Sequence, residues 1–442
     1  MRELLLNVLY RHMPSTKHIH FIGIGGIGMS ALARFWHHEG AVVTGSDRES
    51  SLITVGLEEL GISITYEQKA ENISATSSLD LVVYTEAMPH DHPELLAARA
   101  LGVPVVNYFE ALGQVANEYY LIAVAGSHGK TTTTAMIADV LEEAGFDPTV
   151  IVGSLRSKTK SNFRPGKSKY AVVEACEYRR DFLHLRPDVL VLTNVEYEHV
   201  DYYKDLADVQ SAFREFASLV PADGVIIANT GDENILPILT GLAPKVIDYR
   251  PLIDLTLALR QPGMHNRMNA AGARGVAEWL GIDLSVTTTA LENFAGTWRR
   301  FEYKGEVVGA PVYDDYGHHP TELRATFAGV RELYPDRRLK VVFQSHTYSR
   351  THELFADFVT ALSLADEVFL LPIYAAREEN VSGVSSDLMA EALRVKGIPV
   401  QVYETIPACA QAVKESLTYE VKEVVVTIGA GAVTEVASIL TQ

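Results

Sequence analysis

The sequence predicts an α/β protein of three domains, and three observations carry that expectation. From His18 onward, short β-rich runs alternate with helical patterns, the rhythm of parallel sheets flanked by helices. Two glycine-rich loops, Gly23–Gly28 and Gly126–Gly129, each directly follow a strand and open a helix. The chain has 442 residues, about three domains at a prior of roughly 150 residues each.

A first unit is expected over residues 1–117. It opens on Met1–Tyr10, an arm or short helix too short and too interrupted for a signal sequence. Strands follow at His18–Ile22, Ala41–Thr44 and Leu81–Tyr84, with helices near Met29–His38, Leu52–Leu60 and Pro93–Leu101 and an end near Tyr108–Asn117. A second unit, residues 118–298, begins with the strand Tyr120–Ala125 and a helix from Thr131 to about Ala144. It continues through strands at Tyr170–Val173, Val189–Thr193 and Gly224–Ala228 to an amphipathic helix near Asn269–Leu280. Within it, Ser157–Lys169, rich in Lys, Ser, Pro and Gly, is expected to be a mobile loop. A third unit, residues 299–442, places strands at Val312–Asp315, Leu339–Phe343, Glu367–Leu371, Val400–Tyr403 and Glu423–Thr427 between helical patterns, again doubly wound.

Composition bounds the function. Hydrophobic residues make up 47% and charged residues 21%, ordinary for a globular protein and unlike a disordered or fibrous chain. A net charge of −18 disfavours long-range attraction to nucleic acid or anionic membranes, so a phosphate ligand must be caught locally. No run of about 18 apolar residues is present to span a bilayer. The two cysteines, Cys176 and Cys409, stand far apart and outside metal-ligand spacing, which points to a reducing cytoplasm.

The first glycine loop, Gly23-Ile24-Gly25-Gly26-Ile27-Gly28, satisfies G-x-G-x-x-G. Gly25, Gly26, Ile27 and Gly28 are candidate diphosphate contacts at a helix N-terminus, and Asp47, after the next strand, could bond a ribose hydroxyl. The same pattern suits a nicotinamide dinucleotide, or a turn that merely packs helix on strand. The second loop is sharper. Gly126-Ser127-His128-Gly129-Lys130-Thr131-Thr132 can cradle phosphates on its backbone N–H groups, with Lys130 reaching terminal phosphates and Thr131 coordinating Mg²⁺. It is shorter than the full P-loop pattern, because Val124 stands where that pattern has its first glycine. Glu174 ends a neighbouring strand as a hard-oxygen metal candidate, and His199 follows another strand, where a hydrogen-bonded structural role competes. Asn266 and Asn269 could read an adenine edge or cap a helix. Arg300, in Trp298-Arg299-Arg300-Phe301, could stabilise a transferring phosphoryl group or sit in a surface linker. The polar turns Asp314–Glu322 and Phe343–Thr351, at two strand ends, are expected to face a cleft of the third domain.

In this order the motifs resemble the ATP-dependent muramyl (Mur) ligases of peptidoglycan synthesis, from about His18 to Ser438. Six carry the resemblance: Gly23–Ser30, Gly126–Thr134, Gly263–Asn269, Arg299–Phe301, Asp314–Glu322 and Phe343–Thr351. It implies a three-domain Mur ligase: a Rossmann-like N-terminal UDP-binding domain, a central P-loop ATPase-like domain and a Rossmann-like C-terminal domain. The implied cofactors are ATP and Mg²⁺. The implied substrates are UDP-N-acetylmuramate, held by Gly25, Gly26, Ile27, Gly28, Ser30 and Asp47, and L-alanine, presented by the third domain. By position, Gly126, Ser127, His128, Gly129, Lys130, Thr131 and Thr132 become ATP contacts, and Thr131, Glu174 and His199 the metal site. Asn266 and Asn269 become adenine-side contacts and Arg300 an ATP or acyl-phosphate contact. Tyr316, His318 and Arg350 become substrate contacts, while Lys130, Glu174, His199 and His318 carry the chemistry. A monomer or homodimer in the cytoplasm is implied, without nucleic acid or membrane insertion.

The stretch Glu174-Ala-Cys-Glu-Tyr-Arg-Arg180 departs from the more widespread acidic E-A-D-E-S-D form, and Thr347 stands where other members carry Arg. Arg214 occupies the position comparable to the modified lysine of sibling ligases. A sibling that attaches a recycled tripeptide to the same sugar is the nearest alternative; the Asp315–His319 and Phe343–His346 contexts favour the alanine branch. A folate-type ligase would not need the first domain. A nicotinamide dehydrogenase would leave the phosphate loop idle, and a nucleotide-regulated binding module would not consume ATP.

Overall fold

The computed structural model describes residues 17–74, 78–376 and 378–442; the arm expected at Met1–Tyr10 lies outside them. Three sheets follow one another along the chain. The first runs Ser63–Thr65, Val42–Ser46, His18–Ile22, Leu81–Tyr84, Val105–Asn107 in spatial order, all parallel. Its order reverses at His18–Ile22, so the glycine loop leaves the switch point where open α/β sheets bind ligands. The segment near Tyr108–Asn117 is a helix, Tyr108–Ala116, started by a capping box in which Asn107 and Glu110 each accept the other's backbone N–H.

The second sheet runs Lys245–Asp248, Val225–Ala228, Val189–Leu192, Tyr120–Ala125, Tyr170–Glu174, Thr149–Arg156, Ser161–Arg164. Only its last pair is antiparallel. Its central strands are continuous Val, Leu, Ile and Ala runs with no exposed surface at Leu121–Ala125 or Val189–Leu192, as helices on both faces require. The third sheet runs Glu302–Val307, Ala310–Asp315, Glu423–Ile428, Arg338–Phe343, Glu367–Leu370, Val400–Val402, with one antiparallel edge. Among the described residues no helix is long and apolar enough to cross a membrane.

One apolar cluster runs unbroken from the first sheet into the second, whereas the third has cores of its own. The continuity corrects the expectation of a mobile loop at Ser157–Lys169. Ser161–Arg164 is a strand, and the fully buried Asn162 donates to the Ile27 carbonyl and the Ser30 hydroxyl of the first domain. Phe163 meets Phe35 edge-on at 5.9 Å between ring centroids. Polar composition predicted exposure, but the polar atoms find partners across the junction.

The third sheet is tied to its own entrance by Arg299. The side chain is 4% exposed, its Nε donating to Asp314 Oδ2 (2.9 Å) and its Nη atoms to the carbonyls of Gly431 (3.0 Å) and Gly429 (2.6 Å). Replacing it leaves Asp314, fully buried, without its cation. Arg299→Met is therefore expected to cost roughly 3–5 kcal/mol, read as a downward shift of the C-terminal domain's unfolding transition in calorimetry or urea.

Candidate active site

The phosphate loop joins the strand Tyr120–Ala125 to the helix Lys130–Glu143. It is gripped from the next strand end: Thr193 Oγ1 and Asn194 Nδ2 donate to the His128 carbonyl at 2.6 and 2.9 Å, and His128 N donates to Asn194 Oδ1 at 2.9 Å. Ser127 Oγ accepts from Glu196 N at 2.8 Å, so that hydroxyl shapes the loop. Gly129 has φ +81°, and a side chain there would run into Asn269. Left-handed backbone and the close approach of Asn269 both demand glycine.

Lys130 and Thr131 start the helix and point to acids on the neighbouring strand end. Lys130 Nζ donates to the carbonyls of Gly126 (2.6 Å) and Ser127 (2.9 Å) and to Glu177 Oε1 (2.9 Å). Thr131 Oγ1 donates to Glu174 Oε1 at 2.9 Å, while Glu174 Oε2 accepts from Gly153 N at 2.7 Å. His199 Nε2 sits 3.2 Å from Glu177 Oε1 and its ring lies 4.9 Å from that of Tyr178. The structure thus brings Lys130, Thr131, Glu174 and His199 together, with His199 partnered by Glu177. Burial alone would raise the Glu177 pKa, but Lys130 and His199 overcome it and hold it down at about 2.

Ligand atoms of Glu177, Glu198 and His199 lie within 4.8 Å of one another. Glu177 Oε2 and Glu198 Oε1 are buried without a hydrogen-bond partner among the described residues. Orphaned carboxylate oxygens in this cluster beside Lys130 are hard donors that fit Mg²⁺. Glu177 and Glu198 were not among the sequence candidates, although Glu177 stands in the same strand-end stretch as Glu174.

Two cavities meet this region, one lined by the loop itself and the other by Glu174, the acceptor of Thr131. One, about 260 Å³, is lined by His128, Gly129, Thr132, Asn266, Asn269 and Arg300, among others, between the middle and C-terminal domains. Asn269 Nδ2 donates to Asn266 Oδ1 at 3.3 Å and Asn266 Nδ2 to the Pro262 carbonyl at 2.9 Å, so both amides are oriented at the cavity wall. Arg300 lies 5.2 Å over the Tyr316 ring and 3.5 Å from Glu322. The neighbouring arginines therefore divide, Arg299 into the scaffold and Arg300 into the cavity.

Glu322 closes this side of the site. As the third residue of the helix Pro320–Leu333, its Oε2 accepts from the backbone N–H groups of His318 (2.8 Å) and His319 (3.2 Å). Its Oε1 lies 3.3 Å from Nδ1 of His128 in the phosphate loop. Thr321 Oγ1 donates to Glu196 Oε2 at 2.9 Å, completing the contact between domains. Burial opposes a charge on His128, yet Glu198, Glu322 and Glu196 outweigh it and push its pKa up to about 10. The signal for Glu322 was legible as a capping-box glutamate three residues after His319.

The second cavity, about 490 Å³, lies between the first and middle domains and is lined by Gly26, Ile27, Gly28, Glu174, Tyr178 and Arg179, among others. Gly25 and Asp47 bind each other instead: Gly25 N donates to Asp47 Oδ2 at 2.7 Å. Ser30, expected to contact substrate, is fully buried, its hydroxyl donating to the Ile27 carbonyl and accepting from Asn162 Nδ2, because the helix turns it toward the domain junction.

Tyr316, His318 and Arg350 line neither cavity and form a group of their own. His318 Nδ1 donates to the Tyr316 carbonyl (3.1 Å), leaving Nε2 with the lone pair. Burial holds the His318 pKa well below 6.5, with Arg350 and His346 adding to the effect against Glu322. Arg350 Nη1 donates to His346 Nδ1 at 3.3 Å. Thr347 adopts φ +63° at the start of the helix carrying Arg350. Arg214 is turned away, donating to the carbonyls of Pro237 and Ile238.

Comparison with known proteins places the chain. Residues 18–120 match "Mur ligase family, catalytic domain", residues 124–250 "Mur ligase middle domain" and residues 299–431 "Mur ligase, glutamate ligase domain". A UDP-N-acetylmuramate--L-alanine ligase of Agathobacter rectalis is 42% identical, covering 95% of this chain and 96% of the relative. The protein of that name from Caldanaerobacter subterraneus subsp. tengcongensis is 39% identical, covering 96% and 97%. Among solved structures, the UDP-N-acetylmuramate-alanine ligase of Thermotoga maritima aligns with TM-score 0.80 and 29% identity over 96% of this chain and 98% of that one. A murein peptide ligase of Psychrobacter arcticus shares the fold, with TM-score 0.72 and 23% identity over 96% and 98%. With matched domains along most of its length and near-complete coverage by relatives at about two-fifths identity, the chain belongs to the Mur ligase family.

Proposed function

We propose that this protein is an ATP-dependent amide ligase that joins L-alanine to the lactyl carboxylate of UDP-N-acetylmuramate through an acyl phosphate. This is the first amino-acid addition in peptidoglycan precursor synthesis. The observation that carries the reading is the position of the phosphate loop, with one cavity toward the glycine loop of the first domain and another toward Arg300 and the third. A nucleotide-sugar and ATP can thereby approach neighbouring walls, Glu174 in one cavity and His128, Gly129 and Thr132 in the other. The names of the curated relatives support L-alanine over a tripeptide as acceptor.

A carboxylate does not condense with an amine in water, because oxide is not a viable leaving group. In the proposed reaction the lactyl carboxylate attacks the γ-phosphorus of ATP, ADP departs, and the carboxyl carbon gains phosphate as its leaving group. Lys130 exchanges its bonds to Gly126, Ser127 and Glu177 for the transferring phosphoryl oxygens. Glu174 and Thr131, with His199 and its partner Glu177 beside them, would hold Mg²⁺, which neutralises phosphate charge. Asn266 and Asn269 face the adenine, and Arg300 meets charge on the phosphoryl group or the acyl phosphate. The alanine amine then attacks the carbonyl carbon, losing a proton to Nε2 of neutral His318, and phosphate leaves. Tyr316 and Arg350 flank that step. Contact of Glu322 and Thr321 with the phosphate loop side keeps water from the acyl phosphate.

Phosphate release from ATP and Mg²⁺ with UDP-N-acetylmuramate tests the reading, comparing no acceptor, L-alanine and the tripeptide. Release with L-alanine is expected; release only with tripeptide, or none, overturns it. Lys130→Ala is expected to lower ADP formation roughly 100- to 1000-fold, with binding of the nucleotide-sugar retained in calorimetry. His318→Gln is expected to lower kcat roughly 100-fold or more with little change in the KM for ATP. Because burial disfavours protonated His318, the acid limb of kcat in the parent enzyme is expected below pH 6.5, and a pH–rate profile checks it.

A further inference from the structure

The cavity between the first and middle domains poses a charge problem under the proposed function. Its substrate would bring a diphosphate and a carboxylate, and acids already line the wall at Glu86 and Glu174. Among the described residues lining that cavity, Arg179 is the one cationic side chain. It is half-exposed and 3.7 Å from Glu86 of the first domain, a contact too long for a hydrogen bond. Its guanidinium also lies 5.6 Å over the Tyr178 ring, which meets His199 at 4.9 Å as well.

The backbone beneath it is an independent observation. Arg179 and Arg180 are consecutive left-handed residues, φ 53°, ψ 20° and φ 63°, ψ 24°. Side chains other than glycine, asparagine and aspartate seldom adopt that conformation, and a pair persists only where the surroundings impose it. They do so here. Arg180 N donates to the Glu177 carbonyl, and its guanidinium grips Asp208 (2.7 Å) and Glu215 (3.1 Å) of the helix Leu206–Ala217. Tyr203 donates to the same Glu177 carbonyl. One arginine is fastened to the scaffold, and its strained neighbour is turned to the cavity beside the glycine loop and Glu174.

Resting on the ligase reading above, we propose that Arg179 is a substrate-binding residue that exchanges its long contact with Glu86 for an anionic oxygen group of the nucleotide-sugar. Guanidinium suits either source of that chemistry, the diphosphate or the lactyl carboxylate, because its planar donors pair with both.

Arg179→Gly and Arg179→Glu separate charge from scaffold. Glycine takes positive φ without strain, so a side chain serving only the backbone would leave the Gly variant as stable and as active as the parent. The expected result is an unchanged or higher Tm for Arg179→Gly, a KM for UDP-N-acetylmuramate raised roughly 10- to 100-fold, and a KM for ATP within about twofold. Arg179→Glu is expected to be weaker still, and Arg179→Lys to recover part of the loss. Calorimetric binding of UDP-N-acetylglucosamine, which has the diphosphate but no lactyl carboxylate, assigns the anion. A matching loss there places Arg179 on the diphosphate, and a loss confined to UDP-N-acetylmuramate places it on the carboxylate. A KM for UDP-N-acetylmuramate unchanged in both the Gly and Glu variants overturns the proposal. Failure of the parent protein to release phosphate with that sugar would instead overturn the ligase reading itself.

Discussion

The hydrogen bonds from Thr193 and Asn194 to the His128 carbonyl fasten the phosphate loop onto a neighbouring strand end, and the rest of the site is arranged around that attachment. With the loop fixed, Lys130 and Thr131 enter the helix at a set angle and meet Glu177 and Glu174 on the adjacent strand end. Asn269 packs against Gly129, which sets the distance of the cavity wall that carries Asn266 and Asn269. Glu322 reaches His128 from the third domain, so the placement of His318 and Arg300 is tied to the same loop. A shift of the loop would move groups from three segments together, since preorganised groups tolerate little displacement.

Electrostatics follow from the same geometry. A chain of net charge −18 offers no basic surface to anionic ligands; at the phosphate loop its cations are held inside a screen of acids. Lys130 and His128 are part-buried cations with carboxylate partners. Glu177 and Glu198 retain orphaned oxygens among the described residues. Paired charge of this kind costs desolvation and adds little to stability, so its presence at the loop fits a role in binding. Arg299 is the counterpart in the scaffold, its donors spent on Asp314 and the carbonyls of Gly429 and Gly431.

Much of this was legible one residue at a time. The two glycine loops declared themselves because strand, loop and helix follow in order, and local chemistry decides such turns. Glu174 was readable as a strand-end acid for the same reason. Partnerships were not readable. Nothing in Arg299-Arg300 distinguishes the arginine that enters the core from the one that enters the cavity. Ser30 lies in a glycine-loop motif yet faces Asn162, more than a hundred positions away in the chain. The polar segment Ser157–Lys169 carries the composition of a loop yet holds the strand Ser161–Arg164, wedged against the first domain because the partners of Asn162 lie on that domain's helix Ile27–His38.

The sequence by itself determined the α/β class, the three alternating units and the strand–loop–helix order around the two glycine loops, because each depends on neighbours a few residues apart. Tertiary structure alone decided that His199 is partnered by Glu177, that Glu322 joins the third domain to the phosphate loop, and that Arg179 faces a cavity on strained backbone. Those features depend on contacts between distant segments, fixed by buried packing and the pairing of buried polar groups, which no local pattern encodes.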